Sequence, residues 1–333
     1  MKNGFVLLLQ RTRAAHCVVV GVALAAASLC SPAQQWPAKP VKLLTATATG
    51  GTLDITARSF ADQMSRATGQ SWLVENHAGG LGVTGTDMAA KSPPDGYTFF
   101  VGSTENLVLA PLQIRELPYD PVKDFAAVAV LIDTTVFAIA SYAGLPAKNL
   151  RELLALAKSR PGKLSYAVTG STAEMVGNWL KKQTSMDFIQ VPYKAATQSA
   201  QDVATGRVDF TINALPPLSP FIKGGKLRVL AMTSASRLPG WEAVETVNET
   251  VPGFSLAGFL VLAVPARTPI EIQQRANREA VAIVKSPQFL DRSAAYGWFN
   301  RQPARTLQET GEFIRTERER WTRVMDGLGI KPH

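Results

Sequence analysis

The chain has 333 residues, 46% of them hydrophobic and 18% charged, with a formal charge of +9. That composition buries substantial cores, predicts two domains at this length, and excludes a disordered or low-complexity chain. The basic residues are scattered, with no basic tract interleaved with aromatics, so no nucleic-acid partner is expected.

The N-terminus reads MKNGFVLLLQRTR, then AAHCVVVGVALAAASLC, then SPAQQ. A basic start, an apolar middle and small residues at Ser31 and Ala33 predict a secretory signal peptide over residues 1–33, cleaved near Ala33. The apolar run lacks the length and flanks of a membrane span, and Leu29 stands where lipid attachment at Cys30 would want a small residue. Loss of Lys2, Arg11 and Arg13 brings the mature charge from +9 to about +6. Cys17 and Cys30 leave as well, so the mature chain has no thiol, disulfide or cysteine metal site. No direct membrane insertion is expected after residue 33.

Beyond that point strand-like and helix-like segments alternate, which predicts α/β layers over a mostly parallel sheet. Val41–Thr47 reads as a strand, and Leu53, Ala57, Phe60, Met64 and Ala67 fall on one helical stripe. Trp72–Glu75 and Tyr97–Val101 read as further strands. Asn149 and Glu152 form a capping-box pattern for a helix through Lys158. Leu164–Val168, Gln190–Tyr193, Val208–Ile212 and Arg228–Met232 continue the strand series, with helices after Thr172 and Ala196. Pro269 suits the first position of a helix, and Thr306 with Glu309 caps a terminal helix carrying Ile314, Trp321, Met325 and Leu328. Two long apolar stretches, Ala126–Ser141 and Leu256–Pro265, predict two crossings between domains. The expected division is residues 36–135 plus 259–333 for one lobe and 136–258 for the other.

Three strand-to-helix junctions share one chemistry: Thr49-Gly50-Gly51-Thr52-Leu53-Asp54, Gly102-Ser103-Thr104-Glu105-Asn106 and Thr169-Gly170-Ser171-Thr172. Glycines, hydroxyls and a following helix present free N–H groups and the positive end of a dipole. Taken singly each is an ordinary capped turn; together, at strand ends in a two-domain protein, they predict an anion-favouring cleft. Asp54 reads two ways, as a ligand contact or an anchor of the Gly50–Gly51 loop, or as a first-turn acid complementing the helix dipole. Gly80-Leu-Gly82-Val-Thr-Gly85 fits G-x-G-x-x-G, with Glu105 following, but it lies after the second strand and reads better as a glycine-rich surface turn. His77 is the one histidine apart from His16 in the signal and His333 at the end, and it reads as a surface residue. No catalytic, metal or cofactor pattern is present, so a binding protein that is not an enzyme is expected.

The residues resemble those of the Bug-type (tripartite tricarboxylate transporter) extracytoplasmic solute receptors along the whole mature chain. The matching segments include Trp36-Pro-Ala-Lys-Pro40, Gly50-Gly51-x-x-Asp54 with Arg58, Val74-Glu75-Asn76 and Pro94-Asp95-Gly96-Tyr97-Thr98. They continue with Leu117-Pro-Tyr-Asp-Pro-Val-Lys-Asp-Phe125, Val191-Pro-Tyr-Lys194, Gly206-Arg-Val-Asp209, Gly225-Lys-Leu-Arg228 and Pro252-Gly-Phe254. The resemblance implies a two-lobed periplasmic binding protein of the Venus-flytrap kind, closing on a small carboxylate and presenting it to the membrane subunits of a tripartite tricarboxylate-type transporter. Carried over, the site uses Thr47, Gly50, Gly51, Thr52 and Asp54 from the first loop, and Ser103 and Thr104 from the second. Gly170, Ser171 and Thr172 come from the third, and Asn213 from a strand end. Thr47 and Thr49 stand where the family often has Phe and Pro, and Glu174 and Asn178 where His and Glu are common. Asn213-Ala214 replaces an Asp-Asn pair, and Phe259 a frequent Trp. The competing functions are a sensory receptor for a membrane kinase and an exported hydrolase or isomerase using Asp54 or Glu174.

Overall fold

The computed structural model describes residues 36–50, 52–254 and 256–330, without the side chains of Thr52, Leu81 and Ser171. The expected signal peptide, both cysteines and His333 lie outside the described residues.

The first half of the chain builds β1 (Val41–Thr45), α1 (Thr52–Thr68), β2 (Trp72–Asn76), α2 (Val83–Ala90), β3 (Thr98–Ser103), β4 (Phe125–Thr135) and β5 (Phe137–Tyr142). The middle adds α3 (Leu150–Ser159), β6 (Ser165–Val168), α4 (Gly170–Thr184), β7 (Ile189–Pro192), α5 (Ala196–Ala204), β8 (Phe210–Ala214), α6 (Leu215–Lys223) and β9 (Leu227–Met232). Last come β10 (Gly258–Pro265), α7 (Ile270–Val284), α8 (Pro287–Ala294), β11 (Trp298–Phe299) and α9 (Leu307–Leu328). Two mixed sheets result, ordered β11-β4-β10-β3-β1-β2 and β7-β6-β8-β5-β9.

In the larger sheet β1 runs parallel to β2 and β3, with Leu43 facing Val74 and Phe99 in register. β10 lies between β3 and β4, antiparallel to both, and all eight of its residues are buried. An unbroken apolar strand is what a position covered on both faces requires. In the smaller sheet β6 is parallel to β7 and β8, while β5 is antiparallel to β8 and β9. Around it Tyr166 stacks on Phe210 at 5.5 Å between ring centroids, with Phe188 edge-on to both. α1 buries Ala57, Phe60 and Met64 from its apolar stripe, and α9 buries Trp321 and Met325.

The two sheets place the crossings. The apolar stretch 126–141 is two strands, β4 in one sheet and β5 in the other, separated by the buried Val136 alone. The return lies in residues 233–257, ahead of the apolar run expected to carry it, because β10 needs its full length between β3 and β4. The crossing chains are tied together: Phe137 N–H donates to Thr233 Oγ1 at 2.9 Å, and Thr233 N–H donates to the Phe137 carbonyl at 2.9 Å.

Other local expectations shift for identifiable reasons. Gly80–Gly82 is one turn of 3-10 helix leading into α2; Gly80 is exposed as a surface turn would have it, but Gly82 and Gly85 are buried. A Cβ on Gly85 would stand 2.6 Å from the His77 carbonyl oxygen and 2.9 Å from Ala46 Cα, so glycine lets α2 press against the end of β1. Asn149 caps α3 by accepting from Glu152 N–H at 2.8 Å, but the Glu152 carboxylate turns to Lys148 N–H instead of closing the box. Pro269 stands just before α7, at its cap. Thr306 and Glu309 make both bonds of the capping box on α9. Among the described residues no helix is long and apolar enough to cross a membrane.

Candidate functional site

A cavity of about 220 Å³ opens where the ends of β1 and β3 meet the crossing strands and the start of α4. Its apolar wall is formed chiefly by Val136, Phe137, Phe259, Leu260 and Trp298. Thr47, Ser103, Thr104, Asn106, Thr135 and Thr172 supply its polar side chains. Glu105 is the one ionisable side chain among the described residues of this wall. That mixture of apolar surface with a few converging polar groups is the general character of small-molecule sites.

The polar groups are held by their own backbone. A turn of π-helix, Glu105–Leu109, follows β3 directly and sets the direction of the next side chains. The Asn106 carbonyl oxygen of the side chain accepts from both Ser103 N–H and Ser103 Oγ–H at 2.8 Å. Thr104 is buried and its Oγ1 accepts from Phe259 N–H at 2.7 Å, stitching the loop to β10. Thr172, on the first turn of α4, is buried and donates from Oγ1 to Glu105 Oε1 at 3.1 Å, while its N–H points to the same oxygen at 3.5 Å. Glu105 follows the larger sheet and Thr172 the smaller one, so this contact spans the cleft.

The sequence-predicted residues divide. Thr47, Ser103, Thr104 and Thr172 come together on the cavity wall. Gly50, Asp54, Gly170 and Asn213 lie off it. Gly51 and the side chains of Thr52 and Ser171 lie outside the described residues.

Asp54 is buried and anchors its loop: it accepts from Gly50 N–H at 2.8 Å, Arg58 Nε at 3.2 Å and Asn76 Nδ2 at 2.9 Å. Burial pushes its carboxyl up, but the bonds from Gly50, Asn76 and Arg58 outweigh burial and hold it below the ordinary aspartate range. Asn213 is buried, donating from Nδ2 to Ser199 Oγ at 3.0 Å and accepting from Ala214 N–H at 2.9 Å. Gly170 stands near the cleft acid: a Cβ there would meet Glu105 Oε1 at 3.2 Å.

Glu174 faces away from this wall. It is exposed on α4, and its Oε1 accepts from Gln190 Nε2 on β7 at 3.0 Å. The acid in the cleft is Glu105, which the sequence offered only within a hydroxyl-rich loop and as the acid following the Gly80–Gly85 pattern, and not as a site residue. The signal that pointed to the cleft was its place between Thr104 and Asn106 at a strand end. Val136, Phe137 and Trp298 were likewise unmarked, since each reads as plain core. Among the described residues no group of three or more His, Cys, Asp or Glu side chains comes together as a metal site would need.

Residues 56–330 match the family described as the tripartite tricarboxylate transporter family receptor. The chain belongs to that receptor family. A UPF0065 protein of Bordetella bronchiseptica is 30% identical over 330 residues, covering 99% of this chain and 96% of the relative. Among solved structures, R. palustris Rpa4515 with adipate is 32% identical with a TM-score of 0.82, covering 90% of this chain and 100% of that one. MatC (Rpa3494) from Rhodopseudomonas palustris with bound malate is 25% identical with a TM-score of 0.76, covering 87% of this chain and 99% of that one. As a receptor of this family the chain is an α/β, two-lobed solute-binding protein, and its cleft lies where the two sheets of the fold meet.

Proposed function

We propose that this receptor captures a small organic carboxylate in the cavity between its sheets and delivers it to the membrane subunits of a tripartite tricarboxylate-type transporter. The chain is exported to the periplasm with cleavage near Ala33. Its lobes are residues 36–135 plus 259–333, and residues 136–258. Thr47 and Ser103 from one lobe and Thr172 from the other meet the ligand. The protein binds and releases its ligand unchanged, without a cofactor.

The observation that carries this reading is the cavity itself: about 220 Å³, walled by apolar side chains, with hydroxyls contributed from both sheets. Adipate in one solved relative and malate in another support a carboxylate as the ligand class. Contacts from both lobes to one ligand favour the closed form, which a membrane partner can read as the loaded state.

A thermal-shift screen of the mature protein against carboxylates, amino acids and sugars tests it, since a ligand bound only by the native state raises Tm. Stabilisation is expected from a subset of carboxylates, saturable with concentration. Stabilisation by sugars alone would overturn the reading.

A further inference from the structure

A second cavity, of about 690 Å³, is walled by α9, β4, β10 and the π-helical turn, and it shares no lining residue with the cleft. We propose that it binds an amphipathic anion, an apolar body carrying one carboxylate or phosphate head. The proposal goes beyond the carboxylate reading of the cleft and does not rest on it.

The β4–β10 ladder tells the two cavities apart. Ala127 pairs with Ala263 on the second cavity, whereas Thr135 pairs with Gly258 on the cleft. Leu107, Phe125 and Ala263 give the second cavity a buried apolar surface, to which Ile314 adds. From α9 come Gly311, Ile314, Arg318 and Thr322, spaced so that one stripe of the helix faces the cavity. Cavities of this size, mostly apolar with a few polar groups, are typical of small-molecule sites.

The charged groups decide the ligand class. Among the described residues of the wall the ionisable side chains are Arg315, Arg318, Glu319 and Arg323. Arg315 is paired with both Glu312 and Glu319, which leaves Arg318 and the exposed Arg323 as the cations without an ion pair there. Arg318 is half-buried, and its guanidinium makes no ion pair or hydrogen bond among the described residues. Burial holds it below the ordinary arginine range, against the attraction of Asp120. Asp120 stays beyond ion-pair distance, its carboxylate accepting from Val122 N–H at 2.9 Å and pairing with Lys123 at 3.2 Å.

A desolvated charge without a partner is costly, and a guanidinium offers five N–H donors in a fork that matches an oxyanion. A neutral apolar ligand would cover the apolar surface and leave Arg318 unpaired. A small hydrophilic anion would pair with Arg318 and leave that surface wet. An amphipathic anion satisfies both.

Isothermal titration of the mature protein with octanoate, octyl phosphate and 1-octanol tests this. At least one of the two anions is expected to bind saturably, about ten- to hundredfold more tightly than 1-octanol, and the better one tells a fatty-acid head from a phosphate head. Arg318→Gln should weaken that anion about tenfold or more while 1-octanol binds as before. Gly311→Trp should abolish binding of all three by filling the cavity, since a Cβ at Gly311 meets nothing within 4 Å. Both variants should melt near the native protein, because Gly311 is exposed and Arg318 has no partner to lose. Failure of both anions to bind would overturn the proposal, as would 1-octanol binding as tightly as they do. Anion binding left intact by both variants would put the anion elsewhere, in the cleft for instance, and would overturn it too.

Discussion

Asp54 and Glu105 show how two acids in equivalent loops are put to different use. Asp54 accepts hydrogen bonds from Gly50, Arg58 and Asn76 and is 2% exposed, so its charge is spent inside the loop that it shapes. Glu105 is half-buried and faces a helix start contributed by the other sheet. The Asp54 arrangement has a pH signature. Its carboxyl is held below the ordinary aspartate value of 3.8, so the native state binds its proton less readily than the unfolded chain does. The stability gained is fully present above that value and is lost as pH falls through the depressed one. Asp54→Asn should therefore melt below the native protein at pH 7, and the gap in Tm should shrink as the pH approaches 3. Scanning calorimetry across that range checks it, and a gap independent of pH would show that the carboxylate charge contributes nothing.

At the scale of elements, β11 shows why part of the site stayed hidden in the sequence. It has two residues, too few for any periodicity, and Trp298 in it lines the cavity. A short backbone ladder and several side-chain bonds hold it to β4. Trp298 and Phe299 pair with Thr135 and Thr134, and the Asn300 amide donates to the Val130 and Leu131 carbonyls at 2.9 and 3.1 Å. Asp133 accepts from Arg301 N–H at 2.9 Å and pairs with Arg305 at 3.1 Å, the two side chains being 6% and 11% exposed. Removing one partner of a buried pair leaves the other charge stranded, at a cost of about 3–5 kcal/mol. Arg305→Leu should lose stability on that scale in urea denaturation and change the Trp298 environment enough to alter intrinsic fluorescence. A loss of only a few tenths of a kcal/mol would mean that solvent already screens the pair. The α1 stripe and the α9 capping box were legible because their patterns are local and follow from neighbours in sequence, whereas the apolar run of β10 reads as a crossing because its place between β3 and β4 depends on distant strands. The direction of Glu105 was not legible, because it depends on a π-helical turn meeting a helix 67 residues away. Gly82 and Gly85 misled for the same reason, since a glycine admitted by close packing reads like one admitted by a turn.

Across the whole molecule the same crossings that divide the sheets also border the cavity. Val136 and Phe137 are wall residues, and they are also the step from β4 to β5. Thr233 is fully buried, is not on the wall, and joins the returning chain to Phe137 by two hydrogen bonds. If ligand capture works through lobe closure, this tie sets how the lobes pivot, and its loss changes affinity without touching the ligand. Thr233→Val keeps the shape and removes the acceptor, leaving the part-buried Phe137 N–H without its bond to Thr233, at a cost of about 1–3 kcal/mol of stability. An open-closed equilibrium disturbed in this way lowers the fraction of binding-competent receptor, and apparent affinity falls by that fraction. Small-angle scattering titrated with the best carboxylate from the screen separates the two effects. The native receptor should contract on binding; the variant should contract to the same limit, with its midpoint at higher ligand concentration. A variant that loses stability but titrates like the native protein would place the pivot elsewhere, in the longer return segment of residues 233–257 beyond Thr233.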